Sequence, residues 1–193
     1  MAVLRIHTIP GDDAFLRQKA KDVTSFGEDL RKIAADMTET LPIAKGIGLA
    51  APQVGHSIRM VLIDISAGGE FANSPLPWEG PPPADLPEDE SVAPPPFFLL
   101  NPRILKGEGT AGLAEGCLSV PGIRVEIPRM GAIEVEAQTL EGKTIRFAAD
   151  DLLAIVIQHE MDHLEGKLIV DWAAEGCKSW REDEVPADRE ILD

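Results

Sequence analysis

An α+β domain, with small mixed antiparallel sheets packed around a central helix carrying HExxH, is the fold class that this sequence predicts. Three observations predict it. Residues 155–166, IVIQHEMDHLEG, combine helical length with apolar periodicity and finish on a glycine. From Ser25 to about Thr40 runs a second amphipathic helix, in which Phe26, Leu30, Ile33, Met37 and Leu41 recur at spacings of three and four. Strand-like runs lie outside both helices, among them Ala132 to Thr139 and Thr144 to Phe147, which read as a hairpin across Glu141 and Gly142.

Bulk properties bound the answer. A chain of 193 residues with 44% hydrophobic content can bury one sizeable core and hardly a second. No apolar run approaches the roughly 18 residues of a membrane span, and the opening MAVLRIHTIPGDD lacks a signal-peptide core, so a cytoplasmic location without membrane contact is expected. The net charge of -15 argues against a nucleic-acid surface, which would show as a basic patch. Cys117 and Cys177 make no disulfide framework in a chain of this length; in a reducing compartment each is a buried residue, a ligand or a nucleophile.

In chain order, Val3 to Ile9 is expected as a short strand, and Gly11-Asp12-Asp13 as a turn opening a short helix through Lys19. After the Ser25 helix, whose apolar face is core, comes Gly46-Ile47-Gly48-Leu49-Ala50-Ala51-Pro52-Gln53. Its spacing continues as neither GxGxxG nor a Walker loop. Two readings of the glycines stand: an ordinary tight turn, or bare backbone that a substrate approaches closely, with Gln53 offering an N–H donor. Arg59 to Ile65 reads as a strand.

Composition then changes sharply. Ser66 to Pro96 is rich in Gly, Pro and acidic residues, holds no Lys or Arg, and contains two triple-proline runs. It reads as a surface insertion, either a solvated loop or a lid with Trp78 as its apolar anchor. Phe97 to Asn101 resumes as a short strand, and Glu115-Gly116-Cys117-Leu118-Ser119-Val120-Pro121-Gly122 follows on tight backbone. After the hairpin, Asp150 and Asp151 supply the negative charge that a helix N-terminus favours, and Gly166 is placed to end that helix.

On this helix His159 and His163 share one face, one turn apart, where one metal ion can take both imidazoles. Glu160 is turned about 100° from His159, beside such an ion without being its ligand, so it can take a proton from bound water. An HExxH on a surface helix also arises by accident, and a lone Cys is ordinarily a small buried hydrophobe. The histidine pair lacks a third ligand, however, and that favours coordination by Cys117.

Taken together, GIGLAAPQ, EGCLS and QHEMDH, in this order and at these separations, resemble the peptide deformylases. The resemblance runs from about Leu4 to Asp171 and takes in FGEDLRKIAADM and the turn at Leu100-Asn101-Pro102. It implies a catalytic domain over 1–171, the insertion at about 66–96, and an acidic tail over 172–193. The implied reaction removes the N-formyl group from the initiator methionine of new polypeptides. Implied metal ligands are Cys117, His159 and His163, with water in the fourth position. The resemblance makes ferrous iron the first choice of metal, with zinc, nickel or cobalt able to replace it.

By the same resemblance, metal-bound hydroxide attacks the formyl carbon, Glu160 is general base and then acid, and the Gln53 amide and Leu118 backbone N–H stabilise the oxyanion. Ile47 and Gly48 on one side, and Gly116 to Ser119 on the other, are expected to hold the peptide backbone. Ile155, Val156 and His159 are expected to wall the methionine pocket. Arg124 is read either as a border of the cleft or as a solvated surface cation; Arg129 either pairs with Glu115 behind the cysteine loop or is likewise solvated. Asp162 is expected to be structural, and Cys177 to be incidental.

The expected partners are N-formylmethionyl nascent peptides. Some members of the family end in a basic helix that meets ribosomal RNA. The acidic end of this chain predicts, at most, transient ribosome contact and no direct nucleic-acid binding. Two other readings compete with this one. A zinc endopeptidase of the longer metzincin pattern needs a His where Ile169 stands, and a glutamate ligand would leave Cys117 unexplained. A non-catalytic metal-stabilised module would keep its function without Glu160.

Overall fold

The computed structural model describes residues 2–65, 96–187, 189 and 191–192. Apart from Pro96, the insertion and its Trp78 lie outside the described residues. The elements are α1 (Asp13–Leu16), α2 (Glu28–Ala44), β1 (Gly48–Ala50), a 3-10 turn at Ala51–Val54, β2 (Met60–Ile63), β3 (Phe97–Glu108), β4 (Ala114–Glu115) and β5 (Ile123–Glu126). β6 (Ala132–Gln138), β7 (Thr144–Asp150), α3 (Asp151–Leu164), α4 (Ile169–Ala174), β8 (Ser179–Arg181) and β9 (Ile191–Leu192) complete it.

Five strands form an antiparallel sheet in the order β1-β2-β3-β6-β7. Side chains alternate across a strand, and here both faces are covered, which is why Met60–Ile63, MVLI, is continuously apolar and buried. Val61 and Ile63 join one core cluster with Val156, Ile157 and Leu164 of α3. Met60 and Leu62 join another with Leu30, Met37 and Leu41 of α2. The sheet is thus sandwiched between helices, as the predicted α+β class requires. A second sheet, in the order β8-β5-β4-β9, is small, and its two outer strands both come from the C-terminal segment.

Val3 to Ile9 is not a strand. Its N–H groups are taken one by one: Leu4 by Thr40 Oγ1, His7 by the Gln53 carbonyl, Thr8 by Asp12 Oδ2 and Ile9 by the Ser119 carbonyl. With its donors spent on α2 side chains and loops, no ladder forms. The first helix stops at Leu16 rather than Lys19, and the Ala20 N–H goes instead to the Leu164 carbonyl at the end of α3. α2 runs on to Ala44 with Pro42 in its last turn.

Phe97 to Asn101 continues as the 12-residue β3. It passes Pro102 through a bulge, where Asn101 takes a φ of 50° and its side chain bonds both the N–H and the carbonyl of Val23. α3 ends as expected. Gly166 has a φ of 74°, the Lys167 N–H reaches the Asp162 carbonyl at 2.9 Å, and the Gly166 N–H reaches that of His163 at 3.2 Å. No helix among the described residues is long and apolar enough to cross a membrane.

Candidate metal centre

α3 holds His159 and His163 on one stripe, with ring centroids 5.2 Å apart. The loop between β4 and β5 brings Cys117 to them, its Sγ 3.3 Å from His163 Nε2. One donor atom from each of the three lies within 4.8 Å of the other two. Behind His159, Nδ1 stands 2.7 Å from Glu115 Oε2. A carboxylate has no proton to give, so Nδ1 carries one, which leaves Nε2 as the nitrogen that a metal would take.

Glu115 is fully buried and takes two hydrogen bonds from Arg129, from Nε and Nη2, each 2.8 Å long. Burial pushes the Glu115 carboxyl up, but the bonds from Arg129 and His159 more than offset it and leave it below its ordinary 4.5. For His163, burial disfavours the imidazolium and holds the ring well below its usual range, in the neutral form that ligates.

Glu160 sits on the cleft side of the same helix. Burial raises its carboxyl to about 7, and its Oε2 has no hydrogen-bond partner among the described residues. A Cβ on Gly48 would lie 2.4 Å from Glu160 Oε1. The turn preceding β1 is made by Lys45, with a φ of 60°. Gly48 is therefore required by close approach, and what approaches is the chain's own carboxylate.

Gln53 is pinned at one end, its Oε1 accepting the Ala50 N–H at 2.8 Å. That turns Nε2 towards Ser119 Oγ, 3.2 Å away, and Cys117 Sγ, 3.8 Å away. These groups border a cleft of about 490 Å³. Residues 44–48 line one side, 116–118 and 120–124 the other, and Val156, His159 and Glu160 its helical side, with Glu182 at the rim.

Of the residues expected to hold substrate, Ile47, Gly48, Gly116, Leu118, Arg124 and Val156 line this cleft. Ser119 and Ile155 do not. The Val120 N–H closes a turn onto the Cys117 carbonyl, and Ser119 is wholly buried, its hydroxyl spent on Gln53 and its carbonyl on Ile9. Ile155 shares the stripe of His159 but lies one turn earlier, where core side chains cover it.

Neither arginine is a solvated cation: Arg124 is 6% and Arg129 4% exposed. Arg124 Nη2 donates to Glu182 Oε1 at 2.8 Å, and Arg129 pairs with Glu115 as expected. Asp162 stays out of the ligand group but accepts from both Arg129 and Trp172. Cys177 also lies outside that group and packs against the third apolar cluster. Glu182 and Trp172 carried no signal in the sequence, because sheet pairing and a helix turn bring them in from the acidic end.

A half-buried thiol and two buried imidazoles converge at the edge of an open cleft, beside an orphaned carboxylate oxygen. This donor set fits a catalytic metal, which keeps an open position, rather than a closed structural site.

The model of the family described as polypeptide deformylase matches residues 3–179. A peptide deformylase of Hamiltonella defensa is 42% identical over 172 residues, covering 89% of this chain and 85% of that protein. The crystal structure of a peptide deformylase from Legionella pneumophila superposes with a TM-score of 0.71 at 34% identity, covering 88% of this chain and 85% of that one. That of a peptide deformylase from Synechococcus elongatus in complex with actinonin gives 0.70 at 38% identity, covering 87% and 79%.

Proposed function

The chain belongs to the peptide deformylase family, metal-dependent hydrolases that remove the N-formyl group from nascent polypeptides, and from that premise we propose how its own side chains divide the work. Cys117, His159 and His163 would hold the ion. Ferrous iron is our assignment, with zinc, nickel or cobalt able to substitute at a site of one sulfur and two nitrogens. When bound, the ion supplies Lewis acidity that activates water and polarises the formyl carbonyl.

Glu160 takes the proton of the attacking water at its carboxylate and returns it to the departing methionine amine. A carboxyl held near 7 by burial suits both duties at neutral pH. Gln53 Nε2, oriented through the Ala50 bond, and the Leu118 backbone N–H receive the charge that grows on the formyl oxygen. Removal of one such donor typically costs about 3 to 4 kcal/mol of barrier. The peptide lies as an added strand along β1, whose outer edge is unpaired among the described strands. Its methionine side chain packs on Val156 and His159, opposite Gly116 and Leu118.

The enzyme works in the cytoplasm, and an acidic C-terminal segment gives it a transient rather than a tethered contact with the ribosome. The observation that carries the catalytic reading is the unpartnered Glu160 oxygen beside three converging metal donors. Protein purified without oxygen should release formate from formyl-Met-Ala-Ser. Glu160→Gln should keep its metal and lose roughly 10²- to 10⁴-fold in turnover. Retained turnover would remove Glu160 from the mechanism. Cys117→Ala should abolish metal binding, an effect that a zinc endopeptidase site with a glutamate ligand would not show.

A further inference from the structure

We infer that Asp162 and Trp172 are positioning residues for the metal ligand His159, acting through Arg129 and Glu115. The inference rests on the metal-site reading above and extends it to the C-terminal segment.

The links are continuous. Trp172, in α4, donates its Nε1–H to Asp162 Oδ2 at 2.9 Å. The same oxygen accepts Arg129 Nη1–H at 2.7 Å. Two other donors of that guanidinium hold both oxygens of Glu115, and Glu115 Oε2 holds His159 Nδ1. Asp162 and His159 lie on the same helix, so the bonds form a closed ring: His159, Glu115, Arg129, Asp162 and back through α3. A guanidinium is planar, and its donors leave in fixed directions. Anchoring Nη1 on α3 therefore fixes where Nε and Nη2 present the Glu115 carboxylate. That carboxylate in turn fixes the direction of His159 Nε2.

Trp172 closes the arrangement by holding the Asp162 rotamer, and its ring is itself held. Lys167 Nζ lies 3.4 Å from the ring centroid and Arg129 Cζ 5.4 Å from it. The C-terminal segment thus reaches the metal centre through four side chains without touching substrate.

The test is chelator-driven loss of cobalt from the full-length protein loaded with Co²⁺, with the visible d–d spectrum recorded alongside. Partners that orient a metal-bound histidine are commonly worth 10- to 100-fold in metal affinity. Asp162→Ala should release cobalt about tenfold faster than wild type, and Asp162→Asn, which keeps an acceptor oxygen, should fall between them. Trp172→Phe keeps an aromatic face for the cations but removes the N–H together with the pyrrole half of the indole; it should release cobalt severalfold faster with a shifted spectrum. Ile169→Val, a core change on the same helix, should lower the melting temperature without altering cobalt release. Wild-type release rates and spectra in both Trp172→Phe and Asp162→Asn would overturn the inference, whatever became of Asp162→Ala. A wild-type protein that binds no cobalt would overturn the metal-site reading beneath it.

Discussion

Residues 44–48, on one side of the cleft, are kept in place by what their side chains lack, whereas residues 116–124 opposite are kept in place by buried charge. On the first wall Gly48 leaves the space that Glu160 fills, and a Cβ on Gly46 would meet Leu118 and Leu41 at 3.0 and 3.1 Å. On the second, Glu115, Arg129 and Arg124 are all buried, with partners on α3 and on the C-terminal segment. The first wall fails through steric conflict, locally and at the chemistry. The second fails through uncompensated charge, which acts on folding as much as on turnover.

The sharpest way to break the first wall is Gly48→Ala. Its Cβ would stand 2.4 Å from Glu160 Oε1, so the carboxylate must leave its seat. Loss of a positioned general base costs on the order of 10²- to 10⁴-fold, and formate release should fall by at least the lower figure with metal content unchanged. Wild-type kcat/KM in this variant would show that Glu160 reacts from another position.

For the second wall the corresponding change is Glu115→Gln, and its largest effect is on stability. Breaking a buried pair commonly costs 3–5 kcal/mol; with Asp162 still facing Arg129, about 3 kcal/mol should be lost in denaturant titration. The pH dependence has a definite sign. The folded-state pKa of Glu115 lies below its ordinary 4.5, so its contribution is complete above that value and is lost as pH falls through the lower folded one. Glu115→Gln should flatten the acid limb of the wild-type stability curve, and a parallel limb would assign acid unfolding to other carboxylates.

The two walls were not equally legible in the sequence. His159, Glu160 and His163 could be read because helical spacing alone sets their relation, and the α2 stripe and the Gly166 stop could be read for the same reason. Cys117 as a third ligand and Gln53 as a donor could be raised from the residues, but their place beside the histidines came only with the resemblance, because residue spacing does not say which loop meets which helix. The glycines could be seen but not interpreted: whether Gly48 made a turn or room depended on Glu160, 112 positions away in the chain.

Misreadings came where backbone hydrogen bonds decide. Val3 to Ile9 has the residues of a strand, but its N–H groups found acceptors on α2 and on loops first. Ser119 was expected along the substrate, but the turn that the Val120 N–H closes onto the Cys117 carbonyl keeps it out of the cleft lining. Glu182 and Trp172 were invisible because an acidic tail has no pattern that foretells its pairing with β5, where Arg124 faces Trp180 in register.

Gly116→Ala joins the two modes of failure, because it introduces a steric conflict into the charged wall. The new Cβ would lie 2.9 Å from Arg124 Nη1 and 3.0 Å from its Cζ. These atoms end a flexible side chain, so the guanidinium can move where backbone could not, at the expense of its bond to Glu182. Peptide binding should weaken severalfold through KM, with kcat nearly unchanged, because no proton-transfer group moves. A fall in kcat alone would place Gly116 in the chemistry instead.

The smallest effect is expected from Glu182→Gln, which leaves the steric frame intact and removes only the rim charge. Its carboxylate is more than half exposed, so water screens the charge that is removed, and the Gln side-chain oxygen can still accept from the buried Arg124 Nη2. Stability should stay within about 0.5 kcal/mol of wild type. KM for formyl-Met-Ala-Ser should change about twofold or less, and that difference should shrink at 1 M salt, where screening reaches about 3 Å. A salt-insensitive change of tenfold would mean that the Glu182 carboxylate holds Arg124 by the geometry of their hydrogen bond rather than by rim charge, so that the charged wall, like the glycine wall, is set by shape.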